Sequence, residues 1–317
     1  MCSSDLLDQP GFGDSGGLNV YVRELAASMA TQGIDCDVYV RRTSREVPEV
    51  VELGPGVNVI QIEAGPYGLE KSDLPAVLDA WTRGVATCVA ERPVEAFHAH
   101  YWLSGVVGHQ LKHEFDRPLA VTFHTLGRIK NIAGELESEN RIRSEELVIG
   151  CADAVFASGS VEADQLTSLY GIARDRIEIL TPGVDQTLFK PGEQNSARKS
   201  LGLVEAPTLL FVGRIQEFKG LDVAIEALSL SANNDVRLVV VGGLSGNRGT
   251  ETYLDIRRRI ERCGLEERVL FVDPQPHQLL PTYYQAADAC LVPSRSESFG
   301  LVALEAAACG LQIGRAH

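Results

Sequence analysis

Two cations stand five residues apart after one apolar run, and two carboxylates stand eight apart at the start of another. The cations are Arg214 and Lys219 in Phe211-Val-Gly-Arg-Ile-Gln-Glu-Phe-Lys-Gly220, where a strand enters a Gly-Arg turn and Lys219 precedes a helix. Arginine offers a planar fork and lysine a point charge, so the pair suits a diphosphate. Two solvated surface cations are the competing reading. The carboxylates are Glu297 and Glu305 in Ser294-Arg-Ser-Glu-Ser-Phe-Gly-Leu-Val-Ala-Leu-Glu-Ala-Ala-Ala-Cys-Gly310. Apolar residues on every side of Glu305 mark a buried helix, and Gly310 is a good left-handed stop. A carboxylate there is expensive unless something pairs with it. A polyhydroxylated ligand at the helix start would touch both glutamates, with its phosphate facing the positive helix end. The bland alternative puts Glu305 at a solvated edge and makes Glu297 ordinary loop charge.

Other candidates cluster where strands end. His98-Ala-His-Tyr-Trp-Leu-Ser and Thr122-Phe-His-Thr-Leu-Gly-Arg-Ile-Lys-Asn each close a β run, and open α/β sheets hold ligands at strand C-termini. His124 is the candidate hydrogen-bonding group beside a reaction centre, whereas His109, His113 and His277 read as structural. Lys71, Arg128, Lys130 and Arg141 together suit an anion, although each alone reads as surface charge. Asp14-Ser-Gly-Gly-Leu-Asn19 is a loop whose backbone N–H groups can approach a ligand; a tight structural turn explains it about as well. It lacks the usual dinucleotide fingerprint, which argues against a nicotinamide-dependent dehydrogenase.

The elements that must position these residues alternate. Helices are expected near Leu18–Gln32, Leu74–Glu91 and Ser138–Ile149, with strands at Asp35–Val40, Val57–Ile62, Ala96–His100, Leu119–Phe123, Ala154–Ala157 and Ile177–Leu180. After a loose Pro/Gly/charged stretch the pattern restarts, with strands at Thr208–Val212, Arg237–Val241, Val269–Val272 and Ala289–Val292. Helices follow from Leu221 and at Thr252–Cys263 and Leu279–Ala286. This alternation predicts two α/β, Rossmann-like, doubly wound parallel-sheet domains, 7–185 and 208–311, joined by a linker at 186–207 around a ligand cleft. The glycine loop comes before any clear strand, so the first central strand is expected to be missing and the second sheet unfinished.

The 317 residues are 44% apolar with net charge −14, which disfavours nucleic acid or an anionic membrane as main partner. Seven unclustered cysteines show no metal-ligand spacing and fit a reducing compartment. With no membrane-spanning run and no signal peptide, a soluble cytoplasmic protein is expected. Residues 1–6 and 312–317 back-translate onto reverse-complementary copies of a common sequencing adapter; they are expected to be foreign to the protein.

Taken in order, the Asp-Ser-Gly-Gly loop, His-Ala-His-Tyr, His-Thr-Leu-Gly-Arg-Ile-Lys-Asn, Pro182-Gly-Val-Asp185, Phe-Val-Gly-Arg…Lys-Gly and Glu-Ser-Phe-Gly-Leu-Val-Ala-Leu-Glu resemble the motifs of retaining two-domain (GT-B) glycosyltransferases of group 1. The resemblance spans Gln9 to Gly310. Within the family it is strongest to the branch that transfers GlcNAc from UDP-GlcNAc to 1D-myo-inositol 3-phosphate in mycothiol biosynthesis, and next to the sucrose-phosphate branch. It implies that Arg214 and Lys219 grip the donor diphosphate, Glu297 the donor sugar and Glu305 the ribose. By the same resemblance His124 lies beside the reacting sugar, and Gln9, Pro10 and Gly17 meet the donor. An acceptor ring would lie along Asp14, Ser15, Gly16, Gly17, Leu18 and Asn19, its phosphate held by Lys71, Tyr101, Thr125 and Arg141. No cofactor is implied for the chemistry itself, although a Mg2+ site is implied near the backbone of Tyr284, Gln285 and Ala287. The implied partners are a nucleotide sugar and a phosphorylated acceptor, with a homodimer left open. Leu18 replaces the usual Met of the inositol branch, and Leu126-Gly127-Arg128 is nearer the sucrose-phosphate type, so the acceptor stays open between them. A non-catalytic nucleotide-sugar-binding fragment is the alternative from another class.

Overall fold

The computed structural model describes residues 6, 16–132, 134, 136–244, 249–295 and 300–315. They divide into two compact units, residues 18–181 with Leu6, and residues 182–315 with Gly16 and Gly17.

The first unit begins with α1 (Gly17–Thr31), β1 (Cys36–Arg41), β2 (Val50–Gly54) and β3 (Val57–Ile62). A 3-10 turn at Lys71–Val77 leads into α2 (Leu78–Glu91), then β4 (Phe97–His100), α3 (Trp102–Phe115) and β5 (Leu119–Thr122). The unit continues with α4 (Gly127–Ile132), α5 (Glu139–Cys151), β6 (Ala154–Ala157), α6 (Ser160–Tyr170) and β7 (Ile177–Ile179). Strands β4-β5-β6-β7 form one parallel sheet and β1-β3-β2 another, in which only β2 runs antiparallel. Among the described residues β1 and β4 each pair on one side only. Trp81, Leu103, Phe123 and Leu166 anchor the main core; Val22, Val38, Val40 and Val59 form a smaller one, which Leu6 joins.

The second unit holds α7 (Gln194–Ser200), β8 (Thr208–Val212), α8 (Leu221–Ser229), β9 (Arg237–Val241), α9 (Gly249–Cys263) and β10 (Val269–Val272). It ends with α10 (Leu280–Ala286), β11 (Ala289–Val292), α11 (Leu301–Ala308) and β12 (Gln312–Arg315). Its strands form one parallel sheet in the order β10-β9-β8-β11-β12. Both faces are covered, which is why Leu209-Leu-Phe-Val212 and Leu238-Val-Val-Val241 read as unbroken apolar runs. Helix α8 buries Leu221, Ala224, Ile225 and Leu228 at the i, i+3, i+4, i+7 spacing of an amphipathic helix. The order reverses at β8: β9 and β10 build outward on one side, β11 and β12 on the other. Open α/β sheets bind ligands at such a switch point, beyond the strand C-termini.

Two expectations change. Residues 186–207, read as a linker, carry α7, and its Gln194 and Arg198 bond the Ala287 and Ala286 carbonyls at 2.8 and 2.9 Å. The flanking Pro and Gly hid a helix that packs on α10. Beyond Leu311, where no element was expected, Gln312–Arg315 pairs in register with Ala289–Val292.

Candidate functional site

On the first unit, the chain turns sharply at the ends of β4 and β5. Tyr101 (φ 77°) and His124 (φ 62°) are two of only three described non-glycine residues with positive φ. Such strain persists where the surroundings over-determine it, and it gathers at functional sites. The Tyr101 N–H donates to the Thr122 carbonyl at 2.9 Å, which fixes the tyrosine at the start of α3. The third such residue, Asp116, is the left-handed cap of α3 and has an ordinary structural reason.

Four sequence-predicted residues meet at Tyr101. Lys71 Nζ lies 5.2 Å from its ring centroid, and the Arg141 guanidinium lies 5.1 Å away. Arg141 also donates to the Thr125 carbonyl at 2.9 Å and to its hydroxyl at 3.1 Å, and approaches the Tyr101 hydroxyl at 3.4 Å. Ser138 caps α5 by accepting from the Arg141 N–H at 3.2 Å, which seats the arginine in the first turn. Arg141 is only 1% exposed, so its charge needs partners. It finds Glu137, just before α5, and Glu145, one turn further along it, each at 2.8 Å. Burial raises the Glu137 carboxyl, but Lys130 and Arg141 outweigh it and hold the group below its usual range. Glu145 further accepts from the Gly127 N–H at 3.0 Å and from the Tyr170 hydroxyl. Lys71, Lys130 and Arg141 against Glu137 and Glu145 leave one positive charge, and Lys71 makes no ion pair among the described residues. Arg128 does not belong to this group: it is tied to Glu146, the Leu169 carbonyl and the Tyr170 ring.

His124 belongs to a stack of imidazoles rather than standing alone. Its Nε2 shares a hydrogen bond with His100 Nδ1 at 3.0 Å, and His98 Nε2 bonds the Thr122 hydroxyl at 2.8 Å. The His98 and His100 rings are 4.1 Å apart, and Tyr21 meets His124 edge-on at 5.0 Å. Burial pushes His98 down to about 3, His124 down to about 4, and His100 well below its ordinary value. All three are therefore neutral at pH 7, and His124 can bond a hydroxyl without bringing charge. The stack was only partly legible, because its members come from two strands and α1.

On the second unit, Arg214 follows Gly213 at the end of β8, and Lys219 closes a 3-10 turn at Glu217–Lys219 before α8. Both stand at the C-terminal edge of the switch-point strand. The turn is tightly held: a Cβ on Gly220 (φ 72°) would lie 2.2 Å from the Pro293 carbonyl oxygen. Sequence reasoning missed Arg295, which clamps the same turn. It grips Asp222 at 2.6 and 3.0 Å, while its N–H donates to the Phe218 carbonyl at 2.8 Å. The end of the glycine loop lies here too. A Cβ on Gly16 would come 3.5 Å from Arg214 Nε, and one on Gly17 would come 3.4 Å from Leu301 at the start of α11. Gly17 is the first residue of α1, and Leu18 and Asn19 continue it, Asn19 being buried. Gln9, Pro10, Asp14, Ser15 and Glu297 lie outside the described residues.

Glu305 is buried, not at a solvated edge, and the protein itself supplies its partners. Its carboxylate contacts His277 Nε2 at 2.8 Å and accepts from the Tyr284 hydroxyl at 2.7 Å. His277, read as merely structural, is thus part of the setting of a site residue. Burial and the Glu305 charge push the Tyr284 hydroxyl well above its usual range. The implied Mg2+ position would rest on backbone oxygens, which leave no side-chain signature. The Ala287 carbonyl accepts from Gln194, the Gln285 amide donates to the Lys190 carbonyl, and the Tyr284 side chain is turned to Glu305.

Comparison with known proteins matches residues 16–183 to the glycosyl transferase 4-like domain and residues 178–313 to the glycosyl transferases group 1. A D-inositol 3-phosphate glycosyltransferase from Xylanimonas cellulosilytica is 43% identical over 97% of this chain and 76% of its own. One of the same name from Actinosynnema mirum is 44% identical over 97% and 77%. Among solved structures, a sucrose-phosphate synthase from Thermosynechococcus elongatus superposes with a TM-score of 0.91 at 31% identity, over 98% of this chain and 78% of that one. Anabaena HepE, solved in complex with UDP-glucose, shares the fold with a TM-score of 0.75 at 20% identity, over 97% and 78%.

Proposed function

We propose, since this chain belongs to the group 1 glycosyltransferases, that it transfers GlcNAc from UDP-GlcNAc to a phosphorylated polyol, 1D-myo-inositol 3-phosphate, with retention at the anomeric carbon. The observation that carries the acceptor is the meeting of Lys71, Tyr101, Thr125 and Arg141. A cluster with one surplus positive charge, two hydroxyls and a lysine with no ion pair among the described residues suits a phosphate monoester. Fixing the acceptor by its phosphate fixes which hydroxyl reaches the sugar. On the donor side, Arg214 and Lys219 stabilise the charge that develops on the departing diphosphate. The acceptor oxygen bonds to the anomeric carbon as the carbon–oxygen bond to UDP breaks, and the hydroxyl proton passes to the leaving phosphate. His124, neutral at pH 7, holds a donor-sugar hydroxyl. Glu305, oriented by His277 and Tyr284, keeps lone pairs for the ribose hydroxyls.

A second reading, a sucrose-phosphate-forming transferase, is favoured by the TM-score of 0.91 to such a synthase and by Leu126-Gly127-Arg128. Its acceptor is also a phosphate monoester. UDP release measured with UDP-GlcNAc and inositol 3-phosphate, and in parallel with UDP-glucose and fructose 6-phosphate, separates the two. Turnover only in the second mixture replaces the inositol reading.

A further inference from the structure

Away from both sets of site residues, three soft metal-binding side chains meet. His109 and His113 are four apart in α3 and so share one helix face. Cys151 is the last residue of α5, which packs against α3. One ligand atom from each lies within 4.8 Å of the others, and Cys151 Sγ is 3.2 Å from His113 Nε2. The two imidazole rings stand 4.9 Å apart. His109 Nδ1 is buried and makes no hydrogen bond among the described residues. The neighbouring cation, Lys112, is paired with Asp153. None of the three residues belongs to the clusters described above.

We propose that His109, His113 and Cys151 form a zinc(II) site. Two imidazoles and a thiolate with no carboxylate select a thiophilic cation over magnesium or calcium. Zinc–nitrogen and zinc–sulfur bonds of about 2.1 and 2.3 Å set ligand–ligand edges of about 3.3–3.6 Å in a tetrahedron. The His113–Cys151 pair is already that close, and side-chain rotation brings in His109. On binding, the Cys151 S–H bond breaks, the sulfur bonds zinc, and the proton leaves to solvent. A water completes the fourth position. Because β4, β5 and β6 are parallel, α3 and α5 run the same way. Tyr101 and Arg141 stand at one end of this helix pair and the zinc site at the other. The ion thus staples together the two helices that carry the acceptor cluster.

The test uses tag-free full-length chain, stripped with chelator and titrated with cobalt(II). One equivalent should bind with a thiolate-to-cobalt charge-transfer band that zinc then abolishes. Cys151→Ser should lose the band, His109→Ala and His113→Ala should weaken it, and Cys263→Ser should keep it. Absence of the band, or its survival in Cys151→Ser, overturns the site. A second measurement needs no variant: zinc should protect Cys151 of the unaltered protein from alkylation while the exposed Cys263 reacts as before. Equal reactivity of Cys151 with and without zinc overturns the proposal as well.

Discussion

The two units bury charge in opposite ways. In the first, a buried cation, Arg141, is enclosed by two carboxylates. In the second, a buried anion, Glu305, is met by one imidazole and one phenol. Arg141 finds both partners four residues away in sequence, Glu145 on its own helix and Glu137 in the segment just before that helix. Glu305 reaches back to residues 277 and 284, on a different helical segment. The ion pairs of the first arrangement join residues close in sequence, whereas the second exists only once α10 has packed on α11. An ion network and a hydrogen-bonded carboxylate should also fail differently.

The largest expected effect follows from that contrast. Glu145→Ala leaves a buried guanidinium half-compensated and should destabilise by about 3–5 kcal/mol. Glu305→Ala leaves the Tyr284 hydroxyl and the His277 ring without their shared partner and should cost about 1–3 kcal/mol. Urea midpoints of the two variants check this; equal losses would erase the contrast.

Next in size is acid sensitivity, which should belong to the first unit. The folded pKa values of His98 and His124 are lowered from 6.5 to about 3 and about 4, and that of His100 is lowered further. The unfolded chain therefore binds protons below pH 6.5 while the folded chain does not, so stability is full above 6.5 and falls as pH drops toward 4. His124 alone contributes of order 3 kcal/mol across that window. Hydrogen exchange at pH 7 and pH 5 should show the loss around β4 and β5 rather than in the second sheet, and His124→Gln should flatten it.

Gly220→Ala tests the donor side. Positive φ and the Pro293 carbonyl leave no room for a methyl group, so the turn carrying Lys219 must shift, at about 1–3 kcal/mol. The KM for the nucleotide sugar should rise while the KM for the acceptor holds. The smallest effect is expected from Tyr101→Phe: it removes only a 3.4 Å hydroxyl contact and keeps the ring, so acceptor affinity should fall by at most about 1 kcal/mol.

Sequence made the parallel strands legible because strands buried on both faces leave unbroken apolar runs, as at Leu209–Val212 and Leu238–Val241. It hid α3, which buries Trp102, Leu103, Gly105, Val107, Gly108 and Leu111 and so shows no clean polar stripe. It also hid β2, a half-exposed antiparallel edge strand with Glu52 in its middle. In the site, motif residues were legible by type and spacing, and family resemblance supplied the distant set of Lys71, Tyr101, Thr125 and Arg141. What settles their charge was not legible. His277 meets Glu305 from 28 residues away, and Cys151 meets His113 from 38. No local period encodes such pairs, because tertiary packing creates them.

The central claim is that the first unit binds the acceptor through its phosphate and the second binds the donor. Steady-state kinetics of Lys71→Ala test it most directly, since Lys71 is an exposed cation whose loss leaves the buried network intact. The KM for inositol 3-phosphate should rise roughly tenfold or more, with the KM for UDP-GlcNAc unchanged. An unchanged acceptor KM, or a rise confined to the donor, would contradict the account.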